Sequence, residues 1–293
     1  MSAVALTING RTKLTGLFGD PVEHTLSPAM HNAAFTALGL NFVYVPFRVP
    51  KEALGSAVTA VRALGLAGVN VTVPHKEEVL PYLDHVSEEA SLIGAVNTIV
   101  NENGQLKGYN TDARGFMRAV RETGFDAQGR EAVVIGAGGA ARAVCAALAL
   151  AGVKRIAIFN RTYARGEALA AEVAAATGVE TEALVWEELG RSGTGVLRAA
   201  EIVVQTTTLG MHPDEEGCPL VSGEAFRPGQ LAVDLIYNPP QTRFLRLAAA
   251  AGAATQNGLA MLLHQGAAAF ELWTKCTAPL EVMRRAVFGN ARL

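Results

Sequence analysis

At 293 residues, half of them hydrophobic and 18% charged, the chain is long enough for about two globular domains with ample core. A net charge of −2 with no block of like charges offers no basic patch or stripe for nucleic acid. Three cysteines, Cys145, Cys218 and Cys276, form no CxxC pair and no zinc-ligand spacing, so neither a metal site nor a disulfide framework is expected.

In chain order, the opening MSAVALTINGRTK lacks the basic start and apolar core of a signal peptide. Every apolar run is broken by charge or glycine well before the roughly 18 residues of a membrane span. A reducing, cytoplasmic location is the resulting expectation. Short β-like runs then alternate with Ala-, Leu- and Glu-rich stretches of helical length. The runs are 14–18, 42–47, 69–73, 95–100, 132–136, 155–159, 201–205 and 231–236. This alternation predicts an α/β protein with mainly parallel sheets. Ser27 before Pro28, Asp112 before ARGFMRAVRETG and Thr162 before YARGEALAAEV read as helix N-caps. Boundaries fall near 108–112 and near 257–258.

The stretch AVVIGAGGAARAVCAALALAG carries the most information. An apolar strand ends at Gly136, and Gly136-Ala137-Gly138-Gly139-Ala140-Ala141 leads into an Ala-rich helix. This is GxGxxA in the strand–turn–helix context that a dinucleotide fingerprint requires. Gly136 permits the tight turn, Gly138 clears the approach of a pyrophosphate, and Ala141 lets helix and strand pack closely. The helix N-terminus offers free N–H groups to phosphate. A tight turn that merely needs small residues is the plainer alternative. The next strand ends in Asn160-Arg161-Thr162, with Arg165 one helical turn on. An acidic residue there would hold a ribose 2′-OH, whereas two guanidinium groups suit a 2′-phosphate. NADP is therefore expected over NAD, against the alternative of two solvated surface arginines.

Polar residues cluster where strands of the first half end: Thr25 and Ser27, then Thr72, His75 and Lys76, then Asn97 inside an apolar run, then Asn110 and Asp112. Ligands of open α/β sheets bind beyond strand carboxyl ends, and this set suits a small polyhydroxylated acid. Each residue also has a plain reading: Ser27 and Asp112 as caps, Lys76 as a solvated loop residue, Asn97 bonded to nearby backbone. His31 reads as structural, His75 as a neighbour that could tune Lys76, and Trp186 and Trp273 as packing residues.

The segments KLTGLFGDPVEHTLSPAMHNAAF, NVTVPHKEEV, IGAVNTIV, GYNTDARGF, VIGAGGAARA, FNRTYAR, TTTLGM, DLIYNPPQTRFL and NGLAMLLHQGAAAFELW occur in order across nearly the whole chain. In these the chain resembles the shikimate dehydrogenases. The resemblance implies an α/β substrate domain, residues 1–112 and 258–293, and a Rossmann-type NADP-binding domain, 113–257, with a cleft between them. It implies NADPH-dependent reduction of 3-dehydroshikimate to shikimate, in aromatic amino-acid (chorismate) biosynthesis. By motif position, Lys76 and Asp112 would form the catalytic pair, either of them moving the proton. Thr25 and Ser27 would hold the substrate carboxylate, and Thr72, Asn97 and Gln265 its hydroxyls or the order of the site. Tyr237 would approach from the other domain. Gly136, Ala137, Gly138, Gly139 and Ala140 would cradle the pyrophosphate. Asn160, Arg161, Thr162 and Arg165 would bind the ribose phosphate, with Met211, Gly258 and Met261 near the nicotinamide. The partners implied are the small-molecule substrate alone, without nucleic acid or membrane, in a monomer or homodimer.

Thr25, Tyr109, Ala113, Gln205 and Asn257 depart from the family's commoner residues. Thr25 and Tyr109 keep a quinate-acting paralogue in view. A non-catalytic metabolite or dinucleotide sensor on the same fold is the rival from another class.

Overall fold

The computed structural model describes residues 8–190, 193–220 and 222–289. Residues 1–7, the first part of the segment read for a signal peptide, lie outside them. The chain divides into two compact units, Met1–Gly115 with Leu263–Leu293 and Phe116–Leu262.

The first unit is built on six strands: β1 (Lys13–Gly19), β2 (Phe42–Arg48), β3 (Gly68–Val71), β4 (His85–Val86), β5 (Thr98–Glu102) and β6 (Gln105–Tyr109). Their order is β2-β1-β3-β5-β6-β4. β1 lies parallel to β2 and β3, but β5 runs antiparallel to both β3 and β6. This sheet is therefore mixed rather than wholly parallel. The cause is local: Asn103 and Gly104 both adopt positive φ, the Asn-Gly turn that closes a two-residue hairpin. Such a turn can join only antiparallel neighbours. β5 also begins three residues later than the apolar run 95–100 suggested, so Asn97 precedes the strand instead of lying in it.

Helices α1 (Ser27–Ala37), α2 (Leu54–Ala63) and α3 (Glu88–Ile93) belong to this unit, as does the start of α4 (Thr111–Glu122). Met30, Phe35, Phe270 and Trp273 are buried in one cluster. Gly266 sits against Met30, whose Cε would lie 2.1 Å from an added Cβ. The Trp273 indole donates to the Ile99 carbonyl at 3.0 Å, so its role is structural.

The second unit has six strands: β7 (Glu131–Ile135), β8 (Arg155–Asn160), β9 (Glu180–Val185), β10 (Ile202–Gln205), β11 (Leu231–Asp234) and β12 (Ala254–Gln256). Every neighbouring pair is parallel, in the order β12-β11-β10-β7-β8-β9. Counted within the unit, this is the 3-2-1-4-5-6 order of a doubly wound dinucleotide-binding sheet. The order reverses between β7 and β10, where a crevice for ligand opens in such sheets. β9 and β12 lie outside the apolar runs because they are the two edge strands of the sheet and neither holds a fully buried residue. Helix α5 (Gly139–Leu150) follows β7 and α6 (Tyr163–Thr177) follows β8; α7 (Gly193–Ala199), α8 (Arg243–Ala250), α9 (Leu259–Thr274) and α10 (Leu280–Phe288) complete the chain. α5 buries nearly its whole length behind small side chains, including Ala141, Ala143 and Ala146. Among the described residues, no helix is long and apolar enough to cross a membrane.

One position here predicts a measurable cost. A Cβ on Gly258 would lie 2.0 Å from the Leu235 carbonyl oxygen. Gly258→Ala is expected to lower stability by roughly 1–3 kcal/mol, the range of overpacked sites. A urea melt checks this; an unchanged midpoint would contradict the close packing.

Candidate active site

In the first unit the predicted pair comes together. Lys76 Nζ donates to Asp112 Oδ2 at 2.6 Å, although the two lie 36 residues apart. Both side chains are largely shielded, at 19% and 9% relative exposure, so the ion pair is far less screened than a surface one. β3 ends at Val71, and the turn after it is tied down on both sides. His75 is buried, its Nε2 2.6 Å from the Val49 carbonyl oxygen. The Lys76 carbonyl accepts from the Val96 amide at 2.8 Å. His75 thus anchors the loop to the end of β2 by packing and hydrogen bonding, and its ring turns to Val49.

Asp112 does not cap α4. Asn110 does: its Oδ1 accepts from the amides of Asp112 at 3.1 Å and Ala113 at 3.3 Å, while its Nδ2 holds the Ala95 carbonyl at 2.9 Å. The Asp112 carboxylate in the first turn is thereby released from capping and is engaged by Lys76. Ser27 is likewise not a cap. Leu26 occupies the N-cap of α1, and Ser27 is the first helical residue, next to Pro28. The Ser27 amide donates to Thr25 Oγ1 at 3.3 Å, which brings the two hydroxyl residues together.

Asn97 belongs to a buried polar network that the sequence reading only partly drew. Its Oδ1 accepts from the Thr111 amide at 2.7 Å, and its Nδ2 donates to Thr111 Oγ1 at 2.9 Å. Asn70 donates to the Asn97 carbonyl and to Thr98 Oγ1 at 3.1 and 3.0 Å. The Tyr44 hydroxyl donates to Asn70 Oδ1 at 2.8 Å. Asn70, Tyr44 and Thr111 do not stand out in the sequence; for Asn70 the available signal is a polar residue inside the apolar run VNVTV. Thr72 follows β3, its amide donating to the Phe18 carbonyl at 2.9 Å. Gln265 lies on α9 against Gly115, where an added Cβ would meet its amide at 2.7 Å.

In the second unit Gly136 follows β7 with φ +118, and an added Cβ would meet Thr206 Oγ1 at 2.4 Å. The Thr206 hydroxyl in turn donates to the Ile135 carbonyl at 2.8 Å. The glycine turn is thus pressed against the end of β10, at the reversal of strand order. Gly138 is the N-cap of α5 and makes no side-chain bond; the space where its side chain would stand is open. Ala137, Gly139 and Ala140 are half-buried around it, and Ala141 is fully buried. Thr162 stands at the N-cap of α6 but its side chain caps nothing. Its carbonyl instead accepts from Asn160 Nδ2 at 2.8 Å. Arg161 and Arg165 are exposed and make no ion pair among the described residues. An open glycine cradle, an uncapped helix start and two uncommitted guanidinium groups fit a phosphate-bearing dinucleotide with an additional 2′-phosphate.

Met211 is 44% exposed after β10, Gly258 is buried just before α9, and Met261 is half-buried in its first turn. Gln205 folds back on the loop that carries Met211, its Nε2 donating to the Leu209 carbonyl at 3.0 Å. Asn257 caps α9 through the Leu259 amide at 3.1 Å. Tyr237 follows β11, and burial pushes its phenol up.

The loop of Tyr237 depends on Asp234, which the sequence reading passed over. This carboxylate is fully buried, accepting from the Thr242 hydroxyl at 2.6 Å and the Ile236 amide at 3.0 Å. Burial raises its pKa from 3.8 to about 6, against the pull of those two bonds. The raised value means the fold favours the protonated form. Its contribution to stability is complete below the unfolded value near 3.8 and is lost as pH rises through about 6. Roughly 3 kcal/mol is at stake across that window. Asp234→Asn is expected to abolish this dependence, so that wild type loses stability relative to the variant from about pH 4 to 7. Urea melts across that range check it; parallel curves would contradict it.

Among the described residues, no group of three or more His, Cys, Asp or Glu is placed to hold a metal, and the three cysteines are free. Burial pushes the Cys145 thiol up to about 12, which leaves it unreactive at neutral pH.

Comparison with known proteins accounts for most of the chain. Residues 17–99 match the shikimate dehydrogenase substrate binding domain family. Residues 118–210 match the shikimate / quinate 5-dehydrogenase family, and 258–288 the shikimate 5′-dehydrogenase C-terminal domain. A protein of Desulforamulus reducens named shikimate dehydrogenase (NADP(+)) is 52% identical over 280 residues, covering 94% of this chain and 95% of that one. Shikimate 5-dehydrogenase of Listeria monocytogenes, solved with shikimate and NAD, superposes with a TM-score of 0.92 at 40% identity, over 97% of this chain and 99% of its own. The Thermus thermophilus enzyme, solved with NADP(H) and shikimate, gives 0.83 at 42% identity, over 94% and 98%. With two-unit architecture, glycine cradle and lysine–aspartate pair all in place, the chain belongs to the shikimate dehydrogenase family.

Proposed function

We infer that this protein catalyses the reversible NADPH-dependent reduction of 3-dehydroshikimate to shikimate. The observation that carries the reading is the shielded Lys76–Asp112 pair at 2.6 Å, set beside a polar network rich in hydroxyl and amide groups. NADPH, when bound, supplies the hydride. Gly136, Ala137, Gly138, Gly139 and Ala140 would hold its pyrophosphate, and Asn160, Arg161, Thr162 and Arg165 its ribose phosphate. Met211, Gly258 and Met261 would bound the nicotinamide end.

Hydride addition to a carbonyl carbon leaves an alkoxide, which must take up a proton. Lys76, an ammonium with three donor hydrogens, donates at that oxygen. Asp112 holds the lysine and accepts from a neighbouring substrate hydroxyl. Proton transfer by a positioned group of this kind contributes about 10²–10⁴ in rate. Thr25 and Ser27 would bind the carboxylate. Thr72, Asn97, Gln265 and Tyr237 would bind hydroxyls or order the site. We place the protein in the cytoplasm, consistent with three free cysteines, as a monomer or homodimer whose ligands are small molecules.

The test is NADP⁺-coupled oxidation of shikimate by the purified protein. Steady turnover is expected. Calorimetric binding of shikimate and NADP⁺ without turnover would favour a sensor instead.

A further inference from the structure

The hydroxyl of Tyr44 donates to Asn70 Oδ1 at 2.8 Å, which opens a buried series of hydrogen bonds. From Asn70 the bonds continue in one direction. Asn70 Nδ2 donates to Thr98 Oγ1 at 3.0 Å, Thr98 Oγ1 donates to Asn97 Oδ1 at 3.1 Å, and Asn97 Nδ2 donates to Thr111 Oγ1 at 2.9 Å. Thr111 precedes Asp112 in the chain. One buried chain of hydrogen bonds thus links Tyr44, on β2, to the residue beside the catalytic carboxylate. Bonds aligned in series polarise one another, so such a chain is sensitive to the placement of any one member.

Tyr44 is supported from outside its sheet. It lies on β2, the edge strand of its sheet, where backbone groups on the open side have no neighbouring strand. Asn32 takes the place of that strand. Its Oδ1 accepts from the Tyr44 amide at 2.8 Å, and its Nδ2 donates to the Tyr44 carbonyl at 3.0 Å. His31, the residue before it, stacks on the Tyr44 ring with centroids 4.5 Å apart and planes 11° from parallel. His31 is fully buried and neither ring nitrogen has a hydrogen-bond partner. Burial depresses its pKa to about 3, so the ring is neutral at physiological pH and serves as a flat packing surface. A two-bond backbone clamp and a stacked ring, both from α1, therefore fix the side chain whose hydroxyl starts that chain.

We propose that Asn32, aided by the His31 stack, is a positioning residue for substrate binding: it holds Tyr44 so that the Tyr44-to-Asn97 hydrogen-bond chain is preset before the substrate arrives. This rests on the assignment of Asn97 to the substrate site. It adds a determinant that touches neither substrate nor cofactor.

The test is steady-state kinetics of Asn32→Ala, Tyr44→Phe, His31→Ala and the double variant Asn32→Ala/Tyr44→Phe. Each single change is expected to raise KM for shikimate by about tenfold, in keeping with the loss of a buried hydrogen bond, and to change kcat by less than about threefold. The dissociation constant for NADP⁺ should stay within about twofold of wild type. The double variant should be no worse than the poorer single, because both act through the same hydroxyl. Asn32→Asp keeps the acceptor for the Tyr44 amide and loses the donor. It is expected to show a smaller rise in KM, and it carries the test if the alanine variant does not fold. A folded Asn32 variant with unchanged KM, a fall in kcat alone, or strictly additive effects with Tyr44→Phe would overturn the proposal. Absence of shikimate turnover in the wild type would instead overturn the functional reading on which it rests.

Discussion

Lys76→Ala is expected to lower kcat for NADP⁺-coupled shikimate oxidation by about 10³-fold, within the 10²–10⁴ range for a positioned proton-transfer group. KM should move far less. The reason is geometric. Lys76 Nζ is 2.6 Å from Asp112, and its backbone is pinned through the Val96 amide and the neighbouring His75–Val49 contact. Removing the amine deletes a proton carrier without releasing the loop. Asp112→Asn keeps the shape of the side chain but removes the charge that holds the ammonium; a loss of about a hundredfold is expected. The double variant Lys76→Ala/Asp112→Asn should lose little more than Lys76→Ala, since groups that act as a unit are not additive. Undiminished turnover in Lys76→Ala would remove the lysine from the chemistry. Full additivity would mean the two carboxylate and amine roles are separate.

The second large effect concerns cofactor choice. Arg161 and Arg165 are exposed and uncommitted to any ion pair among the described residues, beside a β8 end that carries Asn160 where an acidic residue would hold an unmodified ribose. Hydrogen bonds to a charged group contribute about 1.5–3 kcal/mol each. Arg161→Ala/Arg165→Ala is therefore expected to raise KM for NADP⁺ by about a hundredfold and to leave KM for NAD⁺ within about twofold. The rise should be steeper at low ionic strength, because exposed charges are screened by salt. Equal increases for both cofactors would mean the arginines act on something common to them, such as the fold of the loop.

Some of this was legible in the sequence because the physical requirement is local. The turn at Gly136 needs a residue tolerant of φ +118 with no side chain facing Thr206, and GAGGAA satisfies that within six letters. The arginines after β8 follow the same logic. The pairing of Lys76 with Asp112 is different: it spans 36 residues and depends on how β3, β5 and β6 return past one another, which no spacing rule encodes. Resemblance to a family supplied it. The same topology hides the hairpin at Asn103 and Gly104: the run 95–100 covers only the first part of β5, and β6 is too polar to stand out as an apolar run. Capping was misread at two helices for a shared reason. Ser, Asp and Asn are all good N-caps, and where several adjoin, tertiary contacts decide which one caps. Asn110 caps α4 while Asp112 is drawn to Lys76, and at α1 Ser27 falls one residue inside the helix, behind Leu26. Buried polar residues such as Asn70 and Asp234 look like ordinary strand positions until their partners from distant segments are known.

Thr25 is proposed to bear on substrate choice, since a threonine carries a methyl group that a serine lacks, beside Ser27 where the carboxylate is proposed to bind. The most direct measurement is kcat/KM for shikimate and for quinate, each with saturating NADP⁺ and with saturating NAD⁺. A value for shikimate with NADP⁺ that exceeds the other three combinations by at least about tenfold is the predicted result. Turnover of quinate at or above that of shikimate, or equal use of NAD⁺, would contradict it.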